Sequence, residues 1–235
     1  MTDTSQPGSD NAYLDHLDVR VVVFSLRSEK LQVLLAPASP EQWELPGSAV
    51  PEHQSLEETA TESLLRMTGL RDAYLEQLYT YGDAARYDVK HPGKRLVSVV
   101  YFAIVPAGTG GATGERSRKN PECQSKWFPV DDLPRLVLDH PDILTYALVR
   151  LRYKLEYTAV GFQLLPEQFS LSELQKVYEM ILGEKLDKRN FRRRILEAGI
   201  IEETHYLRSG EGRPARLYRY RPDAVAEVKV RRLFP

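Results

Sequence analysis

The stretch "WELPGSAVPEHQSLEETATESLLRMTGL" (residues 43–70) spells out a turn followed by one helix. Pro46-Gly47 marks the turn. Ser55 and Glu58 stand three apart, the spacing at which a hydroxyl and a carboxylate satisfy backbone N–H groups at a helix start. Leu56, Ala60 and Leu64 then form one apolar edge. Thr68-Gly69-Leu70 closes the run.

Toward the N-terminus, "DVRVVVFSL" (18–26) and "KLQVLLA" (30–36) are β-branched and apolar runs separated by "RSE". They read as a hairpin or as adjacent strands. Residues 1–12 are polar, without the apolar core of a secretory signal, and read as a disordered tail. On the other side, "LEQLYTYGDA" (75–84) and "RLVSVVYFAIV" (95–105) read as strands flanking the charged loop "ARYDVKHPGK" (85–94). "PAGTGGATGERSRKNPE" (106–122) reads as a flexible glycine-rich loop. "SKWFPV" (125–130) is a short strand, and a helix begins near Pro141. The front half is therefore mixed strand and helix, α+β or a layered α/β/α sandwich.

The back half changes character. In "FSLSELQKVYEMILG" (169–183), Ser170 and Glu173 repeat the capping spacing, Phe169 and Leu174 can form a staple, and Gly183 ends the helix. Leu171, Leu174, Val177, Tyr178 and Ile181 share one face. Asp187 is a candidate cap for "KRNFRRRILEA", closed by Gly199. "IIEETHYL" and "ARLYRY" flank the basic tip "RSGEGRP", a hairpin. Helix, turn, basic helix and hairpin form the order of a winged helix-turn-helix. With Phe191 in the core, Ile195 and Ala198 fall within about 40° of it, and Arg189 and Arg193 point away. Lys188, Arg189, Asn190, Arg192 and Arg193 are candidate contacts to double-stranded DNA, where Arg reads guanine, Asn reads adenine and any of them can hold phosphate. Arg208, Arg213 and Arg216 are candidate contacts from the hairpin.

Net charge is −1, which by itself points to no partner. Its distribution is informative. Residues 160–235 carry 15 Lys and Arg against 11 Asp and Glu, while residues 1–159 carry 17 against 22. An acidic front and a basic back fit a small-molecule domain joined to an anion-binding one. One cysteine, Cys123, excludes an intramolecular disulfide or a Cys-rich zinc site. No apolar run approaches the roughly 20 residues that span a membrane, so no membrane partner and a cytoplasmic location are expected.

The opening stretch resembles the Nudix box, G-x5-E-x7-R-E-U-x-E-E-x-G-U, with U a bulky aliphatic residue. Anchored on Gly69-Leu70, the first glycine falls on Ser48 and the first glutamate on Gln54. The Arg-Glu pair falls on Glu62 and Ser63, and the Glu-Glu pair on Arg66 and Met67. In the working enzymes, carboxylates on one helix face hold divalent cations against a pyrophosphate. Mg²⁺ demands oxygen ligands in near-octahedral array. Serine is a weak ligand, Arg66 is a cation and methionine is too soft. No catalytic and no metal-binding residue is therefore assigned, although Glu52 and Glu57 lie nearby.

Both halves together resemble the Nudix-related transcriptional regulators of NAD metabolism (NrtR type), on "LDHPDIL" (138–144), "RLRYKLEYTAVGFQLLP" (150–166), "FSLSELQKVYEMILG", "LDKRNFRRRILEAGIIE" and the wing "GRPARLY". The resemblance implies a Nudix-like α/β/α sandwich at 13–155 and a winged helix-turn-helix at 156–235. It also implies a homodimer acting as a repressor on a palindromic operator. The effector implied is ADP-ribose or a related NAD metabolite, and no cofactor is required. Regulators of the same architecture answer to pentoses, and a weakly active Nudix pyrophosphatase is the other alternative. By analogy with Nudix pockets, Arg20, Trp43, Glu44, Tyr81, Lys94 and Arg95 are candidate ligand contacts. Asp139-His140 invites a catalytic-dyad reading. Because Pro141 reads as the first helical residue, a hydrogen bond at the helix start or between domains is expected instead.

Overall fold

The computed structural model describes residues 13–70, 72–87, 93–107, 125–157, 159–208, 214–221 and 223. The expected tail 1–12, most of the glycine-rich loop and Arg213 lie outside the described residues. The elements are β1 (Tyr13–Arg27), β2 (Lys30–Ser39), β3 (Gln42–Glu44), β4 (Gly47–Pro51), α1 (Leu56–Thr68), β5 (Tyr74–Tyr81), β6 (Val97–Ile104), β7 (Lys126–Pro129) and α2 (His140–Tyr157). A 3-10 helix (Ala159–Leu164) leads to β8 (Gln168–Ser170), α3 (Leu171–Leu182), α4 (Lys188–Glu197), β9 (Ile201–Arg208) and β10 (Ala215–Tyr220).

The first sheet follows the path β3-β2-β1-β6-β5, with β4 added on β1 and β7 on β2. β1 and β6 run parallel; the other pairs are antiparallel. The side-chain alternation of β1 explains the layering. Val19, Val21 and Val23 join Ala60 and Leu64 of α1 in one core. Val22, Phe24 and Leu26 join Ile143, Leu144, Ala147 and Leu151 of α2 in the other. A strand buried on both faces needs apolar residues at odd and even positions, which is why "VVVF" shows no clean alternation. The expected α/β/α sandwich results.

The β1–β2 hairpin closes through Ser28 and Glu29, whose φ values are 49° and 57°, with Arg27 paired to Lys30. A two-residue loop with both φ positive matches the right-handed strand twist. β4 folds back along β1 so closely that a Cβ on Gly47 would lie 2.1 Å from the Val19 carbonyl oxygen. Only glycine fits there.

In the back half, β8, β10 and β9 form a small antiparallel sheet beside α3 and α4. Leu171, Leu174, Val177, Tyr178 and Ile181 are all buried, as their spacing predicts, and meet Phe191 and Ile195 of α4. The Tyr178 and Phe191 rings lie 5.4 Å apart, edge to face. Phe162 of the 3-10 helix packs between Phe169 and Tyr220, at 5.4 and 4.9 Å. The same apolar cluster continues beneath α2, so the two halves share a core. Arg152 Nε of α2 donates to the Ile181 carbonyl of α3 at 3.0 Å, and Lys176 of α3 pairs with Glu29 at 2.7 Å.

Two boundaries differ from the sequence reading. α2 starts at His140, so Pro141 is its second residue, still within the turn whose N–H groups lack helical acceptors. α4 ends at Glu197 with Ala198 as cap, and Gly199 follows with φ 64°. β3, β4, β8 and the 3-10 helix are too short for a periodic signal. Among the described residues, no helix is long and apolar enough to cross a membrane.

Candidate functional site

The box helix α1 is built as its sequence instructs. Ser55 Oγ accepts from Glu58 N at 3.1 Å, and Glu58 Oε2 accepts from Ser55 N at 2.8 Å. That backbone hydrogen bond holds the Glu58 carboxyl below its ordinary pKa. Gly69 closes the helix with φ 77°, its N–H on the Leu65 carbonyl. The positions where the family carries metal ligands do other work. Ser63 is buried, lies 3.5 Å from Ser48 Oγ and accepts from Arg66 Nη2 at 3.3 Å. The Met67 thioether accepts from Ser125 Oγ. Among the described residues no group of three or more His, Cys, Asp or Glu could hold a metal ion. This donor set does not fit Mg²⁺.

On the opposite face of the sheet lies a buried polar chain. Arg20 Nε donates to Asp18 Oδ2 at 2.7 Å, and its Nη1 donates to Glu44 Oε2 at 2.8 Å and to the Leu45 carbonyl at 2.9 Å. Burial opposes the Arg20 charge, but Asp18 and Glu44 outweigh it and raise the guanidinium pKa. Ser98 Oγ donates to the other oxygen of Asp18. Arg86 Nη1 donates to Ser98 Oγ at 2.6 Å, and Arg86 Nε reaches both oxygens of Asp139 at 2.9 and 3.0 Å. His140 Nδ1 accepts from Leu45 N at 3.0 Å. Burial, then the Arg20 and Arg86 charges, push His140 down to about 3. The ring is neutral at physiological pH and carries its proton on Nε2. Asp139 and His140 therefore do not act as a dyad. The expected bond at the helix start is present, and it stays within the front half.

The six candidate ligand residues do not form one cluster. Arg20 and Glu44 are bonded to each other. Tyr81 lies half-buried at the end of β5, opposite Ser98. Burial, with Tyr146 and Asp139 nearby, raises its phenol to about 12. Arg95 is exposed at the same rim, donating to the Gly82 carbonyl at 2.6 Å, with exposed Lys94 beside it. Trp43 sits apart on β3, 4.7 Å from the Phe128 ring with Lys126 over its face. The sequence reading missed Asp18, Arg86 and Ser98. For Asp18 and Ser98 the available signal was a polar residue at a core-facing position of a strand; Arg86, in a loop, offered none.

In the back half, Asp187 caps α4 by accepting from Asn190 N at 2.7 Å. Phe191 and Ile195 turn inward; Lys188, Arg189, Asn190 and Arg193 are exposed. Arg193 Nη2 donates to Asn190 Oδ1 at 2.9 Å, which joins two of the candidate readers. Arg192 leans back onto Ser172 Oγ of α3 at 3.1 Å. Arg208 pairs with Glu173, the capping residue of α3, and Arg216 pairs with Glu203 at 2.6 Å. Arg208 and Arg216 are thus held by carboxylates, whereas the outer face of α4 keeps its positive charge.

A three-layer sandwich whose box helix carries Ser63, Arg66 and Met67 at the box's ligand positions, joined to a winged helix with a cationic second helix, defines a Nudix-domain protein with a DNA-binding module. The NUDIX domain model matches residues 16–147, and the model of the NrtR DNA-binding winged helix domain matches residues 161–220. The chain belongs to the NrtR family. It is 37% identical over 212 residues to the "ADPR responsive transcriptional repressor NtrR" of Acinetobacter baylyi, covering 87% of this chain and 81% of that protein. Shewanella oneidensis NrtR, crystallised with a 27mer DNA, matches with a TM-score of 0.74 and 33% identity over 92% of this chain and 96% of that one. A MutT/nudix family protein from Enterococcus faecalis, at 21% identity and TM-score 0.65 over 93% and 90% of the two chains, shares the fold.

Proposed function

We propose that this protein is a ligand-responsive transcriptional repressor. Its sandwich senses ADP-ribose or a related NAD metabolite without efficient cleavage, and occupancy controls operator binding by the winged helix. Residues 13–155 serve as the sensor and residues 156–235 as the DNA-binding unit. The protein works in the cytoplasm as a homodimer on a palindromic operator and needs no cofactor. One observation carries the reading: an exposed cationic helix face on a winged helix is joined to a Nudix sandwich with Ser63, Arg66 and Met67 in place of metal ligands. Kinship with an ADPR responsive repressor supports the effector, and kinship with a DNA-bound NrtR supports the operator.

In this reading Lys188, Arg189, Asn190 and Arg193 meet the major groove, while Arg192, Arg208, Arg213 and Arg216 hold phosphates. Lys94 and Arg95 meet the effector's diphosphate through charge-assisted hydrogen bonds. Tyr81 or Trp43 offers a ring to the base. Arg20, fixed by Asp18 and Glu44, is the strut beneath the site.

The test is a gel shift on the promoter fragments flanking the gene, with ADP-ribose, NAD and L-arabinose titrated in. ADP-ribose is expected to release the DNA. Absence of response to all three overturns the sensor. Fast Mg²⁺-dependent release of AMP from ADP-ribose overturns the claim that the pocket does not efficiently cleave its ligand.

A further inference from the structure

We propose that the exposed stripe of α2, with the adjoining end strand β5, is the face on which two copies of this chain meet. The inference rests on the homodimer in the proposed function and assigns its contact surface. β5 ends the path of the first sheet. α2 lies beside it: Lys154 Nζ reaches Glu76 Oε2 at 2.7 Å, and the Tyr79 ring lies 6.0 Å from that of Tyr146 and 5.3 Å from that of Tyr81. Tyr146, Val149 and Tyr153 recur at spacings of three and four and share one helix face. With Tyr79 they are between 39% and 58% exposed, and Leu138, just before the helix, is 41% exposed. Contiguous exposed apolar area of this kind marks interaction surfaces, and tyrosine is enriched in their centres.

The charge pattern selects a second copy as the occupant. The stripe starts acidic with exposed Asp142 and ends basic with Arg150, whose side chain is 42% exposed and lies 4.0 Å from the Glu76 carboxylate of its own chain. These residues lie four positions before and four after Tyr146, or about 6 Å each way along the axis. A twofold axis through Tyr146 therefore sets Asp142 of one copy against Arg150 of the other. It also sets Tyr146 against its own mate. The contact is self-complementary in shape class and in sign, as an isologous interface requires. The two helix dipoles run antiparallel. DNA or an anionic membrane would call for an unbroken positive face, and this stripe lacks one. β5 is bulged between Gln77 and Tyr79, which disfavours joining by strand pairing and leaves side-chain packing to make the contact.

Sedimentation of the full chain tests this. The wild type is expected to be dimeric. Tyr146→Arg places two like charges on the axis and should raise the dimer dissociation constant on the order of 30-fold or more, the scale of a lost central aromatic. Its far-ultraviolet circular dichroism spectrum should be unchanged, because Tyr146 is on the surface. Asp142→Lys should weaken the dimer through repulsion from Arg150 of the mate, and Asp142→Lys with Arg150→Glu should restore it. A monomeric wild type would overturn the homodimer itself. A dimeric wild type with an undiminished Tyr146→Arg dimer would overturn this face alone. A double variant no tighter than Asp142→Lys would overturn the antiparallel arrangement.

Discussion

α1 and α4 are made by the same means and differ in what they offer the solvent. Each begins under a side-chain oxygen that accepts a backbone N–H, Ser55 from Glu58 in α1 and Asp187 from Asn190 in α4. Each turns one face inward, Ala60, Ser63 and Leu64 in the first, Phe191 and Ile195 in the second. The outer face of α1 mixes signs, with Glu57, Glu58, Glu62 and Arg66, and Glu58 is engaged in the cap. The outer face of α4 is cationic. Caps and buried residues therefore form a helix whether or not it carries chemistry. What separates the two helices is the outward face, cationic in α4 and of mixed sign in α1, while the box position Ser63 is buried.

Breaking the shared part should have the largest effect. Leu64→Ala and Phe191→Ala each leave a hole in a buried face, and both should lose about 2–5 kcal/mol in urea unfolding. A loss below about 1 kcal/mol in either would show that the face is not packed as described. The outward faces should separate the helices next. Arg189→Ala or Arg193→Ala should weaken operator binding by about 1–3 kcal/mol and reduce its salt slope by about 1, with the melt unchanged. Arg66→Ala should alter neither. Undiminished operator affinity in both arginine variants would remove α4 from the groove.

The sequence was legible wherever its signals are local. The capping boxes at Ser55 and Ser170, the buried face of α3 and the β1–β2 hairpin all rest on spacings of a few residues. What remained hidden depends on partners far apart in the chain. Arg20 reads in the sequence as a candidate ligand contact because nothing in its neighbourhood announces that β4 folds back to bring Glu44 and the Leu45 carbonyl onto it. Arg86 sits in a charged loop, yet its carboxylate partner is Asp139, 53 residues on. Ser63 falls at a ligand position of the box in the sequence, but its burial against the β4 side of the sheet follows only from the docking of α1.

A second contrast separates the halves. The front half buries charge and an imidazole; the buried residues of α3, α4 and the wing are apolar apart from Tyr178, among those described. The front half should therefore be the acid-sensitive one. His140 titrates near 6.5 when unfolded and at about 3 when folded. Between those values the unfolded chain binds the extra proton, so stability falls as pH falls, by about 1.4 kcal/mol per unit from this group. Above about 6.5 the contribution is complete and flat. His140→Asn, which keeps an acceptor for Leu45 N and removes the titration, should flatten the decline of unfolding free energy between pH 6.5 and 5. An equal slope in wild type and variant would show that the ring is not held neutral.

The finest distinction lies between the two capping boxes. Ser55→Ala and Ser170→Ala remove the same hydrogen bond from the same kind of helix start, and each should cost about 1 kcal/mol. Their glutamates are not equivalent. Glu58 accepts only from Ser55 among the described hydrogen bonds, whereas Glu173 accepts from Ser170 N with one oxygen and from Arg208 of the wing with the other. Glu173→Ala should therefore loosen the wing as well as α3, shifting operator affinity in gel titrations. Glu58→Ala should leave that affinity untouched. If both variants bound the operator like the wild type, the contact from Arg208 to Glu173 would be ornamental, and the wing would be positioned by its own sheet, through the pairing of β10 with β8 and β9.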